Sequence, residues 1–196
     1  MNSPHSGHCR ACKQRVRELL TAAFGDCRVN HAFPWPAQPQ AYRNSAIGAA
    51  LEQIRTALEE FRGHREFIKS SEIPPCDYYI VDPPFILEFD ESQHFSGARL
   101  ITLTNYPRQI AVAFSVERWI ERCREIDAKD DQPFDRDERR AWYDTLRDML
   151  PILHDFQPTT RLYADALPWC ALDSRSAADQ RFFRGLLPGL GRQKYL

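Results

Sequence analysis

The chain has 196 residues, of which 43% are hydrophobic and 27% charged, with a formal net charge of −1 and a pI near 6.6. This composition is typical of one globular domain, and the near-neutral charge excludes nucleic-acid binding through bulk positive charge alone, so such binding would need a local basic patch. Residues 1–10 contain no apolar signal segment, and no window is apolar enough to span a membrane, so we expect a cytoplasmic protein without membrane partners. The six cysteines are then thiols or metal ligands rather than a disulfide scaffold.

The first third of the chain predicts two helices separated by a strand. Apolar residues at helical spacing predict a helix over Arg10–Phe24, which Gly25 closes. Residues 27–33 are typical of a strand, and a proline-rich loop follows them. A second apolar stripe over 47–61 predicts another helix, with Ser45 as its candidate N-cap.

The rest of the chain predicts a β-hairpin, then helices and one late strand. Two runs rich in aromatic and β-branched residues, 78–81 and 85–89, flank an Asp-Pro-Pro turn. Helical periodicity and strand composition place the later elements: helices over 115–126, 135–151 and 176–187, and a strand over 160–172. These elements imply an α/β or α+β fold in which a small mixed sheet is flanked by helices.

The hairpin is informative because it carries carboxylates inside apolar runs. If the strands fold back at the turn, Asp77 comes opposite the region of Glu88 and Asp90, and period-2 alternation puts those two acids on one face. Three converging carboxylates repel one another and are costly to bury unpaired, so we expect Mg²⁺ or Mn²⁺ among them, with Asp77 and Glu88 as direct ligands and Asp90 either as a third ligand or as an acid that supports the ligands. The alternative is that the acids are strand-end and turn residues facing solvent, with Glu88 paired to an arginine.

This set of groups suits the hydrolysis of a phosphodiester. A Mg²⁺ ion held by carboxylates would make a water molecule nucleophilic near neutral pH and would offset the charge of the phosphate. His94 titrates in the useful range and is a candidate general acid, general base or further ligand. Gln93 could orient water or phosphate through its amide.

The hairpin residues also resemble a known family. Asp77-Tyr-Tyr, followed by Phe85-Ile-Leu-Glu-Phe-Asp-Glu-Ser-Gln-His94, is similar to the core of the very-short-patch-repair endonuclease-like group and its uncharacterised bacterial relatives, within the PD-(D/E)xK nuclease superfamily. Residues 135–142 and 160–163 are similar to the helix and the last core strand that follow in that family. The Gln-His pair after Glu-x-Asp is the most specific part of the resemblance.

The resemblance implies a restriction-endonuclease-like core and a Mg²⁺-dependent endonuclease acting on DNA. It places the catalytic residues at Asp77, Glu88, Asp90, Gln93 and His94, with a further acid such as Glu18 on the first helix. The chain departs from the family at Glu91, where relatives usually have glycine, and at Asp90, which stands in place of the superfamily's lysine. Residues 41–71 and 96–133 look like insertions into the single domain.

Two arginine-rich segments are candidate contacts for DNA. Arg62, Arg65 and Lys69 precede the hairpin and are expected near the carboxylate edge, so they are the better candidates. The helix over 135–151 mixes both signs of charge, which is typical of a solvated, ion-paired face. The functional alternatives to a nuclease are a catalytically inactive nucleic-acid- or protein-binding member of the same fold, or a zinc-stabilised interaction module.

Cysteine and histidine spacing gives the zinc alternative its basis. Cys9-x-x-Cys12 followed by Cys27-x-x-x-His31 has the ligand types and pair spacings of a structural zinc site. These ligands converge only if the first helix packs beside the following strand. The alternative is that Cys12 and Cys27 are small buried hydrophobes, as is expected of the isolated Cys76, Cys123 and Cys170.

Overall fold

The computed structural model describes residues 9–130 and 132–187, which form six α-helices and one four-stranded sheet. The helices are α1 (Arg10–Phe24), α2 (Gly48–Arg62), α3 (Gly97–Thr104), α4 (Val116–Ile126), α5 (Arg136–Met149) and α6 (Ala177–Gly185). The strands are β1 (Cys27–His31), β2 (Cys76–Ile80), β3 (Phe85–Asp90) and β4 (Thr160–Tyr163). None of the described helices is long and apolar enough to cross a membrane.

The sheet is mixed, and its strands lie in chain order. β1, β2 and β3 pair antiparallel, while β4 joins the other side of β3 in parallel. Tyr78 pairs with Leu87 in the predicted hairpin, and Leu87 pairs with Thr160 across the parallel ladder. The expectation of a small mixed sheet flanked by helices is confirmed.

Helices cover both faces of the sheet, which is why every residue of β3 is buried. On one face, Leu87 packs with Val16 of α1 and Phe183 of α6. On the other face, Ile86 packs with Leu51 of α2 and with residues of α5. Strands β2 and β3 therefore lie between two helical layers, and polar side chains on these strands are partly or wholly removed from water.

Local signals set most element boundaries. Helix α1 begins and ends where its periodicity predicts, with Gly25 at a φ of 85° after its last turn. Ser115 caps α4 by accepting a hydrogen bond from the backbone N–H of Arg118. The prediction that Ser45 caps α2 is wrong, because its hydroxyl instead donates to the carbonyl of Tyr42 within the preceding turn.

Two later elements differ from the prediction. β4 ends at Tyr163 rather than extending to residue 172, because the chain turns into two short 3₁₀ segments, Ala164–Ala166 and Trp169–Ala171, on either side of Pro168. Proline lacks the backbone N–H that would continue a strand ladder. Helix α3 was not predicted, and it lies in the segment expected to be an insertion.

Candidate functional site

Asp77 and Glu88 lie next to each other on β2 and β3, one position beyond the Tyr78–Leu87 pair. The backbone N–H of Asp77 donates to Oε1 of Glu88 at 3.4 Å. Oδ2 of Asp77 accepts from the backbone N–H of Phe89 at 2.9 Å. Folding at the Asp-Pro-Pro turn thus brings two of the three predicted carboxylates together.

Each of these acids already has a basic neighbour. Nζ of Lys13, on α1, lies 3.4 Å from Oδ1 of Asp77 and 3.7 Å from Oε1 of Glu91. Nε of Arg147, on α5, lies 3.2 Å from Oε2 of Glu88. The alternative interpretation, in which Glu88 pairs with an arginine, therefore describes part of this geometry.

Glu88 remains short of positive charge despite Arg147. Burial and the neighbouring Asp77 carboxylate raise the pKa of Glu88 to about 7, against the opposing effect of the guanidinium. Only 3% of the residue is exposed, so water cannot stabilise the ionised form. An additional cation beside Glu88 would favour its carboxylate form.

Asp90 does not join the pair, and the expectation that it is a metal ligand there is wrong. Its Oδ1 accepts from Nη1 of Arg161 at 2.7 Å, and its Oδ2 accepts from Nε1 of Trp119 at 2.6 Å. No three acids or histidines in the described part of the chain offer ligand atoms that all lie within 4.8 Å of one another. Asp90 instead anchors β4 and α4 to the end of β3.

His94 lies beside this anchor and is oriented by an acid of α5. Its Nδ1 is 2.9 Å from Oδ2 of Asp144 and 3.7 Å from Oδ1 of Asp90. Burial opposes a charge on the imidazole, but the two carboxylates outweigh it and raise the pKa of His94. The same contact holds the pKa of Asp144 well below its usual range, although burial acts in the opposite direction. The contact between His94 and Asp144 therefore favours the charged form of both groups.

The acid that orients His94 was missed because α5 was predicted to carry a solvated charged face. Every residue from 141 to 149 is buried. Arg161, whose side chain has no exposed surface, donates to Asp148 from Nε at 2.8 Å, and Asp148 also accepts from Arg99 of α3 at 2.7 Å. The charges of the predicted helix over 135–151 do form ion pairs as expected, but several of these pairs are buried rather than solvated. The one available signal was Arg161 itself, a charged residue inside an apolar strand.

A basic stripe on α1 borders Asp77. Arg10, Lys13 and Arg17 follow one another at helical spacing and line a cavity of about 220 Å³, together with Gln14, Asn30 and Asp77. Within residues 9–130 and 132–187, neither Arg10 nor Arg17 has a carboxylate within 4.0 Å. Among the residues that line this cavity, three cations face one acid, which favours an anion such as a phosphate. The i, i+3, i+7 spacing of these three cations is the sequence signal that indicates the stripe.

The predicted DNA contacts lie elsewhere. The guanidinium of Arg62 makes two hydrogen bonds of 2.6 Å to Glu138, and Nζ of Lys69 lies 3.1 Å from Asp135, so both side chains stabilise the start of α5. Arg65 lines a separate cavity beside Lys69. Glu138 precedes Arg147, the partner of Glu88, by nine residues, or about 13 Å along the helix axis, which separates the guanidinium of Arg62 from Glu88. The expectation that they lie near the carboxylate edge is wrong.

The two remaining predicted site residues take different positions. Nε2 of Gln93 donates to Oε2 of Glu91 at 2.7 Å, and Oε1 of Glu91 in turn lies 3.7 Å from Nζ of Lys13. Gln93 is therefore linked to Lys13 through Glu91. Glu18 accepts from Gln14 at 3.1 Å and from Ser174 at 3.2 Å, on the side of α1 that faces the loop before α6. Glu18 does not line the cavity at Asp77.

The cysteines assemble differently from the predicted zinc set. The Sγ atoms of Cys9, Cys12 and Cys170 all lie within 4.8 Å of one another, and this is the only such group of potential ligands in the described residues. Cys27 and His31 are not part of it. The imidazole of His31 stacks on Tyr79 with ring centroids 4.8 Å apart. The prediction of a four-residue zinc set is therefore wrong for Cys27 and His31, which lie outside the cluster. Cys170 is not an isolated core residue, because it lies with Cys9 and Cys12.

Comparisons with protein-family models, with curated proteins and with solved structures find no match for this chain. The resemblance of the hairpin to PD-(D/E)xK nucleases stays a hypothesis. The function has to be inferred from the geometry of the residues themselves.

Proposed function

We propose that this protein is a metal-dependent nuclease-like enzyme that hydrolyses phosphodiester bonds in DNA. The observation that carries the proposal is the position of Asp77, which lies beside Glu88 and Lys13 and lines a cavity bordered by Arg10 and Arg17. Hydrolysis of a phosphodiester needs acids that can hold a cation next to bases that can hold a phosphate. The hairpin supplies the acids, and α1 supplies the bases.

The donor set at the hairpin fits a hard divalent cation. Mg²⁺ is usually bound by one or two carboxylates and keeps several of its water molecules, and Asp77 and Glu88 offer two carboxylates. Such an ion would supply a nucleophilic water and offset charge on the phosphate. Glu88 would then be ionised at neutral pH, because a neighbouring cation opposes the burial that raises its pKa.

The other groups of the site have roles that follow from their charge. Arg10 and Arg17 would hold phosphate groups of the DNA backbone in the cavity, since both are exposed and no described carboxylate pairs with them. Lys13 would neutralise an oxygen of the reacting phosphate next to Asp77. His94 is the candidate general acid, because Asp144 and Asp90 raise its pKa against the effect of burial and its side chain is 18% exposed.

A second candidate is a catalytically inactive member of the same fold that binds nucleic acid. It is favoured by the ion pairs themselves, since Lys13 and Arg147 already lie within 3.4 Å of Asp77 and Glu88. A phosphate could then occupy the basic cavity without any metal ion. This candidate predicts DNA binding that does not depend on a divalent cation and no cleavage.

Nicking of supercoiled plasmid DNA in Mg²⁺ or Mn²⁺ tests the proposal. We expect Asp77→Asn and Glu88→Gln to lose activity by about 100-fold or more while keeping the wild-type circular dichroism spectrum. The matched control is Glu121→Gln, which changes an exposed acid of α4 and should leave nicking unchanged.

Two outcomes would overturn the proposal. One is a folded wild-type protein that cleaves none of duplex, single-stranded and mismatched DNA in either ion. The other is nicking that persists at the wild-type rate in the Asp77→Asn variant. Metal-independent DNA binding combined with the first outcome would establish the second candidate.

A further inference from the structure

Three thiols from distant parts of the sequence meet at the N-terminus of α1. Cys9 is the N-cap of that helix, Cys12 lies in its first turn, and Cys170 lies in the 3₁₀ turn that follows β4. Their Sγ atoms all lie within 4.8 Å of one another. The structure describes all six cysteines of the chain and joins no two of them in a disulfide.

The spacing of these sulfur atoms is close to that of a metal–thiolate site. A tetrahedral zinc ion with Zn–S bonds of about 2.3 Å holds its sulfur atoms about 3.8 Å apart, so contractions of about 1 Å or less would complete the site. One backbone group already points at a sulfur of the cluster, since the N–H of Cys12 donates to Sγ of Cys9 at 3.4 Å. Such a hydrogen bond orients a thiolate ligand and stabilises its charge.

We propose that Cys9, Cys12 and Cys170 bind one zinc ion, which fastens the N-terminus of α1 to the turn after β4. The three thiols release their protons to solvent as they coordinate the ion, and a water molecule or a further donor completes the tetrahedron. Thiolates select zinc rather than Mg²⁺, so this site is chemically distinct from the carboxylates at Asp77. The proposal does not depend on nuclease activity.

The zinc ion would fix the helix that carries the basic stripe. Lys13 directly follows Cys12, and Arg10 directly follows Cys9, so two of the cations that border Asp77 are neighbours of zinc ligands in the sequence. Closing a contact between residues 12 and 170 also restricts the unfolded chain over most of its length. Loss of zinc should therefore lower the melting temperature and loosen the first turn of α1.

Metal analysis of the protein purified under reducing conditions, without chelators, tests the site. We expect about one zinc per chain in the wild type, falling to about a tenth in Cys170→Ser. Cys27→Ser is the matched control, because Cys27 is also a half-buried thiol near α1 but lies outside the cluster; it should keep its zinc.

A second measurement needs no variant and covers the case in which Cys170→Ser fails to fold. Wild-type protein reconstituted with Co²⁺ should show the visible bands of tetrahedral cobalt and thiolate-to-cobalt charge transfer, and Zn²⁺ should remove both. Three results would overturn the proposal. These are a wild-type protein that takes up neither metal stoichiometrically, a Cys9–Cys12 disulfide in the protein as isolated, and an equal loss of zinc in Cys27→Ser and Cys170→Ser.

Discussion

Arg161 is the central cation of the buried charge network that it forms with Asp90, Asp144 and Asp148. Replacing it with methionine tests whether water is excluded from these charges. Its guanidinium bonds Oδ1 of Asp90 at 2.7 Å, Oδ1 of Asp148 at 2.8 Å and the carbonyl of Asp144 at 3.1 Å, and its side chain has no exposed surface. Methionine approximates the length of the arginine stem but removes the charge and all three hydrogen bonds. Asp90 would keep the hydrogen bond from Trp119 and the imidazole of His94 at 3.7 Å, and Asp148 would lose one of its two guanidinium partners.

The expected cost follows from the burial of these acids. Removing one partner of a buried ion pair leaves an uncompensated charge in a medium that solvates it poorly, which costs about 3–5 kcal/mol. With an m-value of about 2 kcal/mol/M, the urea midpoint of Arg161→Met should fall by about 1.5–2.5 M relative to the wild type. Equilibrium urea unfolding followed by tryptophan fluorescence and by circular dichroism measures this shift.

The same substitution on the surface is the control. Arg28 pairs with Asp26 at 3.4 Å, but both side chains are more than half exposed. Exposed pairs of this kind contribute about 0–1 kcal/mol, so Arg28→Met should leave the midpoint almost unchanged. If the two variants lose similar stability, the charges around Arg161 are solvated and the reasoning is refuted.

Three further predictions concern other parts of the molecule. Asp144 outweighs the effect of burial and raises the pKa of His94 above 6.5, so the charged pair contributes its full stability below pH 6.5 and loses it as the pH rises through the folded-state pKa. His94→Gln should therefore flatten the fall of the urea midpoint with pH above pH 6.5, and an unchanged slope would contradict this. Arg17→Ala should weaken DNA binding and lower its salt dependence by about one charge, whereas Arg65→Ala should change neither, and the reverse result would favour the contacts predicted from the sequence. Gly48→Ala should cost about 1–3 kcal/mol in urea unfolding, because a methyl group there overlaps carbonyl oxygens of the turn before α2; an unchanged midpoint would mean that the turn relaxes.

Properties that depend on neighbouring residues could be predicted from the sequence. The amphipathic stripe and Gly25 predicted both ends of α1, and the Asp-Pro-Pro turn between two β-branched runs predicted the β2–β3 hairpin. The hairpin register then follows from its turn, so the adjacency of Asp77 and Glu88 was also within reach. These features are local because periodicity, capping and turn formation involve residues a few positions apart.

Partners that come from distant segments could not be predicted. The charges of α5 look solvated in the sequence, but Asp144 meets His94 fifty positions away, and Asp148 meets Arg161 of the neighbouring strand. Cys170 looked isolated because no other cysteine and no histidine lies near it in the sequence, yet the turn after β4 brings it to α1. Periodicity reports which residues share a face of a helix, but not which other element covers that face.

The sequence by itself thus determined the order of the helices and strands other than α3, the small mixed sheet and the pair of acids at the hairpin. Only the tertiary structure decided which cation each acid contacts. It places Asp90 in hydrogen bonds with Arg161 and Trp119 rather than at the expected metal site. The physical reason is that burial makes every charge depend on its nearest counter-charge, since a group removed from water must find its partner within a few ångströms. That partner is fixed by how the layers pack, and packing joins residues that the chain keeps far apart.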